Sequence, residues 1–299
     1  MTLSPMILTC LFLVPAPIPA QAQTPDAAAV VAAERAFAAD RPGLGITGSF
    51  TKWSTPDAIV IGGGEVRRVR DAYPPEAPRP ADEPALGWWP NFAGIARSGD
   101  LGFTTGPMAL DDRRTGHYFT IWRRQPDGGW KWIYDGGSSA SAAGAPGPES
   151  EPVLLTTSDA GSVSPQAALA EVAAVEAELA RQAATDQQAA HLAVMADAGR
   201  LYVGQRPPAI GRESFAAALS AWPAAFQFGP AQGGAASEAG DMAWTYGAAA
   251  WSRDGQPRTG HYVRLWQKQA IGWRLVMANL IPAPPPPAAT SPAPQPSPS

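Results

Sequence analysis

The chain has 299 residues, with 22 basic and 26 acidic side chains, and its formal charge of −4 is spread evenly over the two halves. Neither half has the basic excess of a nucleic-acid-binding module, so nucleic acid is not expected as a partner. Apolar residues make up 45% of the chain and include 11 Trp, enough for two cores, whereas charged residues reach only 16%. Soluble domains typically carry about 25% charged residues, so some sheet surface is expected to be buried between units.

The chain opens on an apolar run, Met6 to Val14, followed by Pro-rich sequence and the small-x-small site Ala20-Gln21-Ala22. This reads as a signal peptide over 1–22, although Lys and Arg are absent from its leading region, and it implies a periplasmic or secreted protein. The run is shorter than the roughly 20 residues of a spanning helix, so no membrane insertion is expected after the signal is removed. The one cysteine, Cys10, lies inside this run.

Thr24-Pro25 then opens a first domain over 24–137, with a hydroxyl cap and proline at the first helical position. The following Ala-rich stretch places Val30, Glu34 and Phe37 on one helical face. Pro56-Asp57 breaks the next helix before a short strand, Ala58 to Ile61, and Tyr73 to Pro84 is a Pro-rich loop. The segments 98–106, 115–124 and 130–135 read as antiparallel strands, the last two joined by a turn containing Pro126-Asp127-Gly128.

Residues 138–163 are rich in Ser, Ala, Gly and Pro and read as a flexible linker. Ser164-Pro165 opens a second domain over 164–281 that repeats the first. Val172, Glu176 and Leu179 match Val30, Glu34 and Phe37 at a constant offset of 142, which also carries Trp53 onto Met195. Helices are expected over 187–196 and near 211–221, then a meander over 241–250, 260–268 and 272–279. Thr-Gly-His-Tyr occurs in both copies, at 115–118 and 259–262, behind a shared Gly-Asp at Asp100 and Asp241. Pro282 to Ser299 is an uncharged Pro/Ala/Ser tail, read as disordered. Each copy is therefore an α+β unit, helices first and then a meander whose sheet they cover.

The stretches Gly-Asp-Leu-Gly-Phe-Thr-Thr-Gly, Gly-His-Tyr-x-x-x-Trp-Arg and Asp-Gly-Gly-Trp-Lys-Trp, behind Ala-rich helices, resemble the nuclear transport factor 2-like superfamily. The likeness is to its exported SnoaL-like and ketosteroid isomerase-like branch. It implies two tandem cones, each a curved antiparallel sheet around helices with a pocket at the open end, paired through their sheets as an internal pseudo-dimer. Isomerases, cyclases, dehydratases and non-catalytic binding domains all share that fold, so membership does not select an activity.

A symmetric hairpin puts Thr104 opposite His117, and Thr245 opposite His261. It also puts Asp100, Thr104, His117, Phe119 and Ile121 on one face, with Phe103, Tyr118 and Trp122 on the other. On a catalytic reading His117 is an acid or base working with Asp100 or Asp135, and the first copy is favoured because Ala278 replaces Asp135 in the second. On a structural reading each histidine makes a cross-strand bond to threonine and each Asp caps a turn. Trp53, Phe103, Tyr118, Trp122 and Trp132, with His261 and Trp244 of the second copy, form the candidate lining for a small apolar or aromatic ligand. His191 is expected on a partly exposed helix face. No metal-ligand spacing, phosphate-binding loop or nucleophile elbow is present, so neither metal nor cofactor is expected. A non-catalytic role for the cones, binding a small apolar or aromatic molecule or a protein partner, is the leading expectation, and an isomerase, cyclase or dehydratase using a His/Asp acid-base pair the alternative.

Overall fold

The computed structural model describes residues 25–285, so the leader, Cys10, the Thr24 cap and the tail beyond 285 lie outside the described residues. The first copy begins with α1 (Ala28–Trp53), which is two helical segments joined at a kink. Gly45 sits there at φ 72°, three residues after Pro42, whose missing N–H already weakens the ladder. The second copy divides the same span into α3 (Pro165–Ala183) and α4 (Gln187–Val194), capped by Ser164 and Asp186. In the first copy Asp26 takes a cap's bond, accepting from Ala28 N at 2.9 Å.

The sheet of the first copy comprises β1 (Ser54–Gly62), β2 (Glu65–Arg68), β3 (Leu86–Trp88), β4 (Phe92–Ile95), β5 (Leu101–Leu110), β6 (Arg113–Arg124), β7 (Trp130–Ser138) and β8 (Val153–Leu154). A short α2 (Val69–Ala72) follows β2. Strand β1 therefore starts four residues earlier than expected and runs through Pro56-Asp57, where its register against β7 is interrupted. The second sheet comprises β9 (Met195–Tyr202), β10 (Ala209–Ile210), β11 (Gln227–Ala236), β12 (Met242–Arg253), β13 (Gln256–Gln269) and β14 (Gly272–Pro282), with α5 (Arg212–Leu219) after β10. The orders β2-β1-β7-β6-β5-β4 and β10-β9-β14-β13-β12-β11 correspond strand for strand, including the parallel pairs β1–β7 and β9–β14.

The connecting segment read as a flexible linker is instead packed down. Ala140, Ala142 and Leu155 are buried, and β8 adds a parallel strand to β4. A few small apolar side chains suffice because an existing sheet edge supplies the backbone partners.

Hairpin register departs from the symmetric expectation. Thr104 pairs with Thr120 and His117 with Pro107; in the second copy Thr245 pairs with Arg264 and His261 with Ala248. The first hairpin turns on Asp111-Asp112, both at positive φ as a tight two-residue turn requires, and a bulge at Thr115 absorbs one more residue. A shift of three residues, an odd number, exchanges the faces of β6. Tyr118, Thr120 and Trp122 thus join Thr104 toward the helices, while His117, Phe119 and Ile121 join Phe103 on the outer face.

That outer face is covered by the other copy. One apolar cluster runs from Phe92, Phe103, Phe119, Ile121 and Tyr134 into Tyr202, Trp244, Val263, Leu265 and Met277. Polar contacts across it are reciprocal: the Asp100 carboxylate accepts from Glu238 N at 3.1 Å, and the Asp241 carboxylate accepts from Arg97 N at 2.8 Å. The Thr105 and Tyr202 hydroxyls meet at 2.9 Å, and Asn279 Nδ2 donates to Gly137 O at 3.1 Å.

Asp241 is buried and Asp100 only partly so. Asp241→Ala is expected to lower unfolding free energy by about 2 kcal/mol, the scale for a buried charged acceptor, and Asp100→Ala by less. Urea denaturation of the full chain measures both.

Candidate functional site

The helices of each copy press one carboxyl group onto the inner face of the sheet. In the first copy Glu34, from the apolar face of α1, is fully buried. Trp88 Nε1 donates to its Oε1 at 2.5 Å, Trp122 Nε1 donates to Oε2 at 3.0 Å, and Thr104 Oγ1 also donates to Oε2. In the second copy Glu176 receives Thr245 Oγ1 at 2.6 Å and Trp266 Nε1 at 3.1 Å. Thr104 and Trp122 occupy the same positions in the repeat as Thr245 and Trp266, and Trp88 is an additional donor of the first copy. A Glu kept twice on an apolar helix face was the sequence sign of this centre.

The copies part at one cross-strand pair. In the first, Thr120 on β6 donates to Asp135 on β7 at 2.7 Å. In the second, the facing residues are Arg264 and Ala278. Arg264 is 2% exposed, lies 3.5 Å from Glu176, and has its guanidinium 4.0 Å and 4.3 Å from the ring centres of Tyr262 and Phe228. The second cone therefore neutralises its glutamate with a packed cation, while the first holds a second acid. Ala278 was legible as the missing partner of Asp135; the matching exchange of Thr120 for Arg264 is visible only once the register is known.

Burial without a cation pushes both acids of the first cone upward. Desolvation raises Glu34 to about 7, against the pull of its hydrogen bonds from Thr104, Trp88 and Trp122. Asp135 is raised to about 8, first by desolvation and further by Glu34, with the Thr120 bond opposing. Asp135 is thus largely protonated at neutral pH, poised to donate or to exchange a proton.

Asp135 also forms part of the wall of a cavity of about 250 Å³ at the mouth of the first cone. Phe50, Tyr73, Trp88, Met108 and Tyr118 supply its aromatic and apolar lining, and Arg67 stands at its rim. The Tyr118 hydroxyl is buried without a hydrogen-bond partner. In the second copy the corresponding interior holds His191, 1% exposed and edge-on to Trp222 and Phe228, rather than partly exposed as expected. Its imidazole is pushed down to about 3, by burial first and then by Arg264.

The other expected site residues scatter. His117 is 1% exposed on the outer face, its Nδ1 at 3.1 Å from Ala140 O and its ring edge-on to Tyr202, so neither Asp100 nor Asp135 is within its reach. Burial holds its pKa below the ordinary value. Asp100 serves the contact between copies. Trp122 binds Glu34, and Trp132 is sealed in the core beside Phe37 and Phe50. Trp53 donates to Asp40 at 2.6 Å, outside the cavity. Phe103 and Trp244 lie between the sheets, and His261 borders a separate cavity of about 530 Å³ with Phe228 and Ala248. Of the expected residues, Asp135 and Tyr118 meet at the first cone's cavity.

Among the described residues no cluster of metal-ligating side chains occurs and no helix is long and apolar enough to cross a membrane. No family model and no curated protein matches the sequence. Solved structures similar to it each align with about one copy. A ketosteroid isomerase-like protein from Erwinia carotovora atroseptica is 21% identical over 39% of this chain and 97% of its own, with a TM-score of 0.33. A nuclear transport factor 2-like protein of unknown function from Pseudomonas putida is 15% identical over 40% and 88%, at 0.34. A nuclear transport factor 2-like superfamily protein from Salmonella enterica is 13% identical over 42% and 98%, at 0.33. The order of helices and strands described above gives each copy a mixed α+β architecture, with its long helix ahead of its own sheet.

An acid whose folded pKa is raised stabilises the fold fully below its unfolded value, and that contribution is lost as pH rises through the folded value. For Glu34 the window runs from 4.5 to about 7. The stability of the wild type relative to Glu34→Gln is expected to fall across this window by up to about 3 kcal/mol, at about 1.4 kcal/mol per unit. Urea titrations of both proteins at pH 4.5 and 8 measure it; equal changes in the two would place the pH dependence elsewhere.

Proposed function

We propose that the first cone binds one small, largely apolar or aromatic molecule whose polar end meets Asp135, and that the second copy is the structural partner of the first. The observation that carries this reading is the asymmetry of the two interiors. In one, a cavity of about 250 Å³ is walled by an acid that no cation pairs; in the other, the acid lining a cavity of about 190 Å³, Glu176, has a stacked arginine beside it and a buried histidine nearby. A protonated carboxyl group, rather than a carboxylate, suits a neutral ligand carrying a carbonyl or hydroxyl group, since neither partner then has to bury a charge. The aromatic walls favour a flat ligand body.

The probe 2-naphthol is expected to bind the full chain and quench tryptophan fluorescence through Trp88. Met108→Trp, which fills the cavity mouth, is expected to weaken binding by at least about tenfold while the melting temperature is kept; one lost tight apolar and polar fit is worth that much. Unchanged affinity in this variant overturns the site.

A second reading, proton transfer at a carbon beside a ligand carbonyl, draws on Asp135 being raised to about 8 next to the unpartnered Tyr118 hydroxyl. An acid with a pKa near neutrality can accept and return a proton efficiently. Deuterium exchange into 2-tetralone, followed by mass spectrometry, should then be accelerated by the wild type, lost in Asp135→Asn, and retained in His117→Gln. Exchange at the uncatalysed rate in the wild type leaves binding alone.

The reading also includes export to the periplasm or medium, supported by the Met6 to Val14 run and the Ala20-Gln21-Ala22 site. Mass spectrometry of protein made in a bacterial host is expected to find a mature start at Gln23; an intact Met1 in the cell fraction overturns it.

A further inference from the structure

The two sheets do not meet along their full length. At one end they leave a second cavity of about 290 Å³, walled on the first copy by Asp57, Arg67, Arg68 and Arg123 and on the second by Trp244 and Tyr246. Three guanidiniums face one carboxylate there, an excess of positive charge in a chain whose net charge is −4. Among the described residues these arginines make no ion pair. Arg68 spends one bond on the Asp57 carbonyl at 2.9 Å, which fixes its stem against the wall.

Trp244 makes the second, independent observation. It is 4% exposed and lines this cavity, yet its indole N–H has no hydrogen-bond partner. A buried donor left unpaired is unfavourable, and such groups are satisfied by a partner or kept for one. Its ring is fixed by Tyr134 on one side, 5.1 Å between centres, and by near-parallel Tyr246 on the other, 5.6 Å. The indole is therefore held in place at the cavity wall, and Tyr246 offers an aromatic surface beside the arginines.

We propose that this inter-copy cleft is a binding site for a small aromatic dianion. Arg68 and Arg123 take its oxyanion groups, the Trp244 N–H donates to one of them, and the aromatic body lies against Tyr246. Guanidinium forks match carboxylate and phosphate oxygens equally, so an aromatic dicarboxylate and an aryl phosphate share this chemistry. Because the cations come from one copy and the indole from the other, the site exists only when the copies are docked. It is independent of the first cone's occupant, although Arg67 borders both cavities.

The test is isothermal titration of the full chain with phthalate, phenyl phosphate and benzoate at physiological ionic strength. Saturable binding of phthalate or phenyl phosphate is expected, at least about tenfold tighter than benzoate, because the second charge is met by a second guanidinium. The tighter of the two dianions identifies the source class. Arg123→Gln is expected to weaken that dianion by about tenfold and leave 2-naphthol binding unchanged, and Trp244→Phe to weaken it while keeping the ring packing. Should Trp244→Phe fail to fold, the partly exposed Arg123 carries the test alone. Absence of saturable dianion binding, benzoate binding as tightly, or indifference to Arg123→Gln overturns the proposal.

Discussion

A carboxyl group buried under a helix is the constraint around which each copy is built. Glu34 and Glu176 sit where a helix meets the inner face of its sheet, and taking such a group out of water is costly unless donors converge on it. That requirement explains why each copy keeps a threonine on one strand of the hairpin and a tryptophan on the next, since their O–H and N–H groups converge on one oxygen pair. It also fixes the register. Thr104 reaches Glu34 only if it points inward, which leaves His117 pointing out.

The outward face then needs its own cover, and the second copy supplies it. Phe103, Phe119 and Ile121 would be a large exposed apolar surface on an isolated copy. The Gly-Asp motif that first marked the repeat belongs to this contact, since Asp100 and Asp241 each accept a backbone N–H from the other copy. One short motif repeated in one chain thus produces a reciprocal pair of bonds, as a two-fold interface does in a dimer. The small share of charged residues has the same origin, because two sheet faces are withdrawn from water.

Architecture and internal symmetry were readable because they rest on periodic signals: the offset of 142, the helical face of Val30, Glu34 and Phe37, and the strand-rich final third of each copy. What a hairpin presents to each side was not readable, because it depends on where the turn falls. Asp111-Asp112 and the bulge at Thr115 moved the pairing by an odd number of residues, and an odd shift exchanges the faces. The aromatic candidates of the first hairpin part company for the same reason. Tyr118 reaches the cavity, while Phe103 on the adjacent strand lies against the other copy. Asp135, which lines the cavity, could be singled out without the register because a comparison of the two copies alone marks it. The connecting segment misled by composition alone: Ser, Gly and Pro say that it cannot build a core, not that it cannot dock on one.

The exchange of Thr120 and Asp135 for Arg264 and Ala278 bears most directly on division of labour between the copies. Placing a guanidinium beside Glu176 sets a cation 3.5 Å from the buried carboxylate and packs it on the faces of Tyr262 and Phe228. Placing a second acid beside Glu34 does the opposite: neither acid is neutralised by a cation, both are held near neutrality in pKa, and a cavity remains. The arginine of the second copy favours a stable scaffold, whereas the paired acids of the first leave strain in the form of suppressed ionisation. Such strain is tolerable in the first copy because its outer face is braced by the second. The duplicated fold therefore separates two demands that a single cone has to meet at once, a settled interior for docking and an unsettled one for a ligand.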